Sequence, residues 1–149
     1  MLGLGTLGWG SQVDEYVALD QLKAFHDAGG TLIDSSPIYG AGAAQPLLGH
    51  TIESSRVRSR FVLASRAACV LRDGQRIIDV SRSGLLAQLD STLQELRTDY
   101  LDVWQLDRWD GSVPLDETLS ALAFAVQSGK VRHIGVSNLS AWQTALIHA

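Results

Sequence analysis

Apolar positions along this chain switch repeatedly between a helical spacing and the short continuous runs of buried strands. Residues 2–5 form a short apolar start. Ala18, Leu22 and Phe25 then recur at helical spacing, and Ala28-Gly29-Gly30 supplies a helix stop. Residues 31–34 read as a short buried strand, 43–51 as a short helix and 61–64 as another strand. Ser83 is the expected N-cap of a strong helix carrying Leu86, Leu89, Leu93 and Leu96 on one face. Residues 100–106 read as the next strand. Pro114 opens a helix with a stripe of Leu115, Leu119, Leu122 and Val126, closed by Gly129. Residues 133–136 form a fifth strand, and 140–149 begin a last helix with no cap at Ala149.

The order is thus strand–helix repeated five times, which predicts an α/β fold of parallel strands joined by helical crossovers. Both an open doubly wound sheet and a barrel satisfy it. Gly3-Leu4-Gly5-Thr6-Leu7-Gly8 matches G-x-G-x-x-G, but the signal is weak. A dinucleotide fingerprint needs a full strand before it and a helix starting within it. Here Trp9-Gly10-Ser11 prolongs the loop instead.

Composition narrows the classes. The chain has 149 residues, 46% of them hydrophobic and 19% charged, with a net charge of −4. This suits a single globular domain over residues 1–149 and gives no handle for nucleic acid or an anionic membrane surface. Apolar runs such as 121–126 are far too short to span a membrane. No basic leader with a cleavage site follows Met1, so a cytoplasmic setting is expected. Cys69 is the one cysteine, which excludes an internal disulfide, and its apolar neighbours favour an inert thiol. His26, His50, His133 and His148 lack metal-ligand spacing, so no metal is expected. Arg72, Arg76 and Arg82 with Asp73 and Asp79 read as a solvated loop.

Four segments together resemble the aldo-keto reductases. They are Gly5-Thr6, then Ala28-Gly29-Gly30-Thr31-Leu32-Ile33-Asp34-Ser35-Ser36-Pro37-Ile38-Tyr39-Gly40, then Leu96-Arg97-Thr98-Asp99-Tyr100-Leu101-Asp102-Val103-Trp104-Gln105-Leu106, and Gly129-Lys130-Val131-Arg132-His133-Ile134-Gly135-Val136-Ser137-Asn138. The resemblance implies a (β/α)8 TIM barrel, of which these residues are roughly the first five βα units. It implies NADPH as cofactor and a small-molecule carbonyl as substrate. The strands beyond the fifth, which in this family hold most of the dinucleotide, are not in the sequence. The chain is therefore expected to be a fragment whose outer strands, left as open barrel edges, promote self-association.

The family works through a tetrad of Asp, Tyr, Lys and His, in which Tyr protonates the carbonyl oxygen as hydride arrives. A free phenol ionises near pH ~10, so a neighbouring cation is expected to lower it and a carboxylate to hold that cation. The resemblance puts Asp34 and Tyr39 at the first two positions. Arg66 stands at the lysine position, where it keeps the charge but is wider and can pair bidentately with Asp34. Asp107 stands at the histidine position. A neutral His donates to the carbonyl, whereas an ionised Asp cannot. Only a protonated Asp107 could donate, and an apolar wall such as Trp109 would favour that form. The alternative is a solvated carboxylate paired with Arg108. Some family members with an acidic residue here reduce conjugated carbon–carbon double bonds, so an enone substrate is one implied reading. Gly5, Thr6, Asp34, Ser137 and Asn138 are the implied cofactor contacts, the last two at the nicotinamide carboxamide, and Trp9 is a candidate wall of the substrate pocket. With two of four tetrad positions changed, a catalytically inactive binding or regulatory relative is the alternative.

Overall fold

The computed structural model describes residues 2–148. The expected uncapped end at Ala149 lies outside them. Five strands, β1 (Gly3–Gly5), β2 (Leu32–Asp34), β3 (Val62–Ala67), β6 (Leu101–Leu106) and β7 (Val131–Val136), pair in parallel in the order β1-β2-β3-β6-β7. Helices α1 (Glu15–Asp27), α2 (Ala44–Ser55), α3 (Arg82–Glu95) and α4 (Leu115–Gln127) make the crossovers, and α5 (Ala141–His148) follows β7. The sheet grows in sequence order with no reversal. A doubly wound sheet reverses at a switch point, whereas a barrel adds strands consecutively, so this order is that of a partial (β/α)8 barrel.

The two sheet faces differ. Ile33, Leu63, Ser65, Ala67, Trp104 and Leu106 point to the helices and are buried. In register on the other face stand Asp34, Ala64, Val103 and His133, then Arg66, Gln105 and Gly135. This second face is half-open and carries the charged residues, as the interior face of an open barrel segment must.

Several local expectations are corrected. The N-cap of α3 is Ser81, whose Oγ accepts from Gly84 N at 3.1 Å, and not Ser83. Its buried face holds Leu85, Gln88, Leu89 and Leu93, so the stripe starts at Leu85 and not Leu86. The α4 face is rotated too. Thr118, Ala121, Leu122 and Ala125 are buried while Val126 is exposed, because small residues let the helix approach and Thr118 Oγ1 donates to Val80 O at 2.9 Å. Residues 69–78 are not a loop. They form an antiparallel hairpin of β4 (Cys69–Arg72) and β5 (Gln75–Ile78). Its turn, Asp73-Gly74, has φ of 51° and 75°, the two positive values a tight hairpin turn requires.

At the opposite, N-terminal end of the strands, Asp102 closes the sheet. Its carboxylate accepts from Arg58 Nη2 at 2.9 Å, Arg132 Nη1 at 3.0 Å and Leu63 N at 2.9 Å. Both guanidinium groups also sit over the Tyr100 ring, 4.1 and 4.2 Å from its centre.

Candidate active site

The C-terminal ends of β2, β3, β6 and β7 bring Asp34, Arg66, Asp107, Ser137 and Asn138 together, with Tyr39 on the loop after β2. Backbone bonds continue the parallel ladder past the strand ends and fix these positions. Ser35 N donates to Ala64 O at 3.0 Å, Asp107 N to Ala67 O at 3.2 Å and Ser137 N to Leu106 O at 2.9 Å. Tyr39 opens a short 3-10 turn, Tyr39–Gly42. Gly40 holds that turn at φ 58° and donates its N–H to Leu7 O at 3.0 Å. A Cβ there would clash with the Trp9 carbonyl, so only glycine lets Tyr39 sit this close to the first loop.

Arg66 is the hub. Its Nη2 donates to Asp34 Oδ2 at 3.1 Å and its Nη1 to Asp107 Oδ1 at 3.3 Å. Nη1 also lies 3.4 Å from Ser137 Oγ, and the guanidinium carbon lies 5.5 Å from the centre of the Tyr39 ring. The Arg66 Nε is buried without a partner. Tyr39 Oη donates to Asp34 Oδ2 across a long 3.4 Å. Asn138, at φ 54°, donates its Nδ2 to Asp107 Oδ1 at 2.6 Å and to Ser137 Oγ at 3.2 Å. Asp107 is 4% exposed and pairs with Arg66 and Asn138. Its expected alternative, a solvated carboxylate on Arg108, is therefore corrected.

The expectation for the phenol is corrected as well. Burial and the negative charge of Asp34 push the Tyr39 hydroxyl above its ordinary ionisation range, and the lowering by Arg66 is outweighed. Tyr39 is thus a neutral O–H at physiological pH, a donor and not a phenolate. For Arg66, burial works to lower the guanidinium, but Asp34, Tyr39 and Asp107 raise it beyond its ordinary value, so it stays charged.

Two of the expected contacts are buried. Trp9 is 1% exposed, packed in the core, and its indole N–H donates to Gln21 Oε1 at 2.9 Å, so it supports the first loop. Thr6 is fully buried. Its hydroxyl lies 2.9 Å from Ser35 Oγ and 3.2 Å from Asp34 O, which ties β1 to β2. Gly5 is exposed at the end of β1 with open space where a side chain would stand. The sequence carries no signal for the Asn138–Asp107 contact, which joins residues 31 positions apart.

The residues present suit one end of a nicotinamide cofactor. Asn138 is exposed and uses only its amide N–H groups, so its carbonyl oxygen is free to accept. Ser137 Oγ accepts in both its contacts, so its proton is free to donate. An acceptor beside a donor is the complement of a carboxamide. Among the described residues no three His, Cys, Asp or Glu side chains are placed to hold a metal, and no helix is long and apolar enough to cross a membrane.

Consecutive parallel strands with a Tyr–Arg–Asp cluster at their C-terminal ends define part of a (β/α)8 barrel with a charged mouth at that end. The chain belongs to the aldo/keto reductase family, whose model matches residues 1–149. It is similar to the aldo-keto reductase YhdN of Bacillus subtilis (strain 168), at 33% identity over 93% of this chain and 43% of that protein. The norsolorinic acid reductase stcV of Emericella nidulans is 32% identical over 97% of this chain and 41% of its own length. The aryl-alcohol dehydrogenase [NADP(+)] of Phanerodontia chrysosporium is 27% identical over 94% of this chain and 37% of its own. Among solved structures, the thermostable aldo-keto reductase Tm1743 in complex with the inhibitor epalrestat superposes with a TM-score of 0.81. It is 33% identical and is matched over 97% of this chain and 52% of that one. The chain therefore spans about half the length, or less, of these relatives.

Proposed function

We propose that these residues are the proton-donating half of an NADPH-dependent oxidoreductase that reduces a small-molecule carbonyl. The observation that carries this reading is the neutral Tyr39 hydroxyl, held between Asp34 and Arg66 at the mouth of a parallel barrel segment. Bound NADPH would supply hydride to the carbonyl carbon. Tyr39 Oη would give its proton to the carbonyl oxygen, and the adjacent guanidinium would stabilise the negative charge left on the phenolic oxygen. Asp34 holds Arg66 in place and orients the phenol. Ser137 and Asn138 would orient the carboxamide of the nicotinamide. The NADP(+) named in the aryl-alcohol dehydrogenase relative supports the choice of dinucleotide.

Asp107 accepts at Oδ1 from both Arg66 and Asn138. The ion pair with the Arg66 guanidinium favours Asp107 as a carboxylate rather than as an acid donating to substrate, and so supports simple carbonyls over enones. The test is deuteride transfer in the complete protein carrying these residues. Incubation with 4-deuterated NADPH and an α,β-unsaturated aldehyde should give an allylic alcohol with one deuterium on the carbinol carbon. A saturated aldehyde deuterated at the β-carbon would redirect the reading to enones. No transfer from either face of the nicotinamide would leave the inactive relative as the better account.

A further inference from the structure

Among the described residues the site carries an unbalanced charge. Asp34 and Asp107 both pair with the single guanidinium of Arg66, and the Tyr39 hydroxyl is neutral, so two carboxylates face one cation. Asp107 is almost wholly buried, and its remaining partner, the Asn138 amide, adds no charge. Arg66 is also already engaged by anions. Each Nη is bonded to a carboxylate, and its Nε is buried. A substrate carboxylate entering here would find no free fork and would meet a surplus negative charge in a partly desolvated mouth.

We propose that Asp107 is a specificity-determining residue that makes this site select neutral carbonyl compounds and reject those bearing a carboxylate near the carbonyl. The inference rests on the oxidoreductase reading for the identity of the site, but charge selection is a property of binding and is measurable without turnover. The neighbouring Trp109 is half-buried two residues beyond Asp107 and stacks edge-on against Trp142, with ring centres 6.0 Å apart. This pair gives an aromatic surface beside the charge and an intrinsic fluorescent reporter.

The experiment compares 4-carbamoylbenzaldehyde with 4-carboxybenzaldehyde, which share size and ring but differ in charge. Binding to the complete protein is followed by quenching of tryptophan fluorescence. The amide should bind about tenfold tighter, as a unit charge roughly 8 Å away in a medium between protein and water would require. Asp107→Asn should bring the ratio near one, and Asp107→Glu, which keeps the charge, should keep the preference. Asp99→Asn removes the same formal charge at an exposed position before β6, at the far end of the strands, and should change nothing. Equal wild-type binding of the two aldehydes, or an unchanged ratio in a folded Asp107→Asn protein, overturns the proposal. Should that variant fail to fold, the wild-type and Asp107→Glu ratios still decide. Selective binding of the amide with no reduction of it would uphold the charge selection and overturn the oxidoreductase reading instead.

Discussion

The Tyr39 hydroxyl lies 3.4 Å from Asp34 Oδ2, so the phenol is oriented toward a carboxylate and does not stand free beside the guanidinium. Burial and that carboxylate raise its ionisation, and Arg66 only partly opposes them. The proton is therefore retained through neutral pH, and any alkaline loss of reduction that reports Tyr39 should begin above pH ~10. Removing the Asp34 charge takes away a raising influence. Asp34→Asn should thus move that alkaline limb downward, which a pH–rate profile of wild type and variant will show. An upward move would contradict the assignment.

Asp102 should be the more damaging position for stability. Its carboxylate joins Arg58, Arg132 and the Leu63 N–H at the N-terminal end of the sheet. Asp102→Ala leaves the largely buried Arg58 guanidinium without its counter-charge and should cost about 2–4 kcal/mol. Urea unfolding measures this directly. A loss within ~0.5 kcal/mol would show that Arg58 is satisfied by its carbonyl contacts alone.

Glu95 gives a pH-dependent prediction. Burial raises its carboxyl above the ordinary range, with a smaller opposing effect from the Ser91 hydroxyl. A carboxyl raised on folding favours the native state below its unfolded pKa, and that advantage is lost as pH rises through the folded value. Glu95→Gln should therefore raise the melting temperature at pH 7, and the gain should vanish below pH ~4. A loss of stability at pH 7 would reverse the sign.

Strand edges predict association. Among the described residues β1 and β7 each have one neighbour, so both present unpaired backbone groups. A 149-residue chain should show concentration-dependent association in sedimentation, suppressed by Pro at a position of β7 that faces outward from the sheet. A monodisperse monomer at all concentrations would mean that these edges are covered in another way.

Much of the fold was legible because each strand–helix pair announces itself by a change of period. What periodicity could not decide was the barrel against the open sheet, since both repeat the same unit; the strand order decides it. Leu85-Leu86 and Ser81/Ser83 show a second limit. The pattern pointed to Ser83 and Leu86, whereas packing and the Gly84 N–H select Ser81 and Leu85. The α4 stripe misled because hydrophobicity favours Leu and Val, whereas close helix approach favours Thr118, Ala121 and Ala125. The β4–β5 hairpin had a readable signal, Asp73-Gly74 between two apolar pairs, which the surrounding arginines masked.

At the site, Asp34, Tyr39, Arg66, Asp107, Ser137 and Asn138 were each legible from the resemblance, and they do converge. Of their pairings, only that of Arg66 with Asp34 was legible. The sequence could not say that Arg66 would span both carboxylates, nor that Asn138 would turn to Asp107, because those choices depend on rotamers fixed by strand register. Trp9 was an expected pocket wall from its place on the first loop, and Thr6 an expected cofactor contact from the resemblance. Their burial follows from Gln21 and Ser35, which take up their polar atoms.

The most direct test of the central claim is aldehyde-dependent consumption of NADPH by the complete protein carrying these residues, wild type against Tyr39→Phe. Phe keeps the ring that Arg66 packs over and removes only the proton donor. The account predicts turnover of a neutral aldehyde by wild type, and a loss of about 10²–10⁴-fold in kcat with little change in KM in the variant. Equal rates in the two proteins, or no consumption by a wild-type protein that binds NADPH, would contradict it.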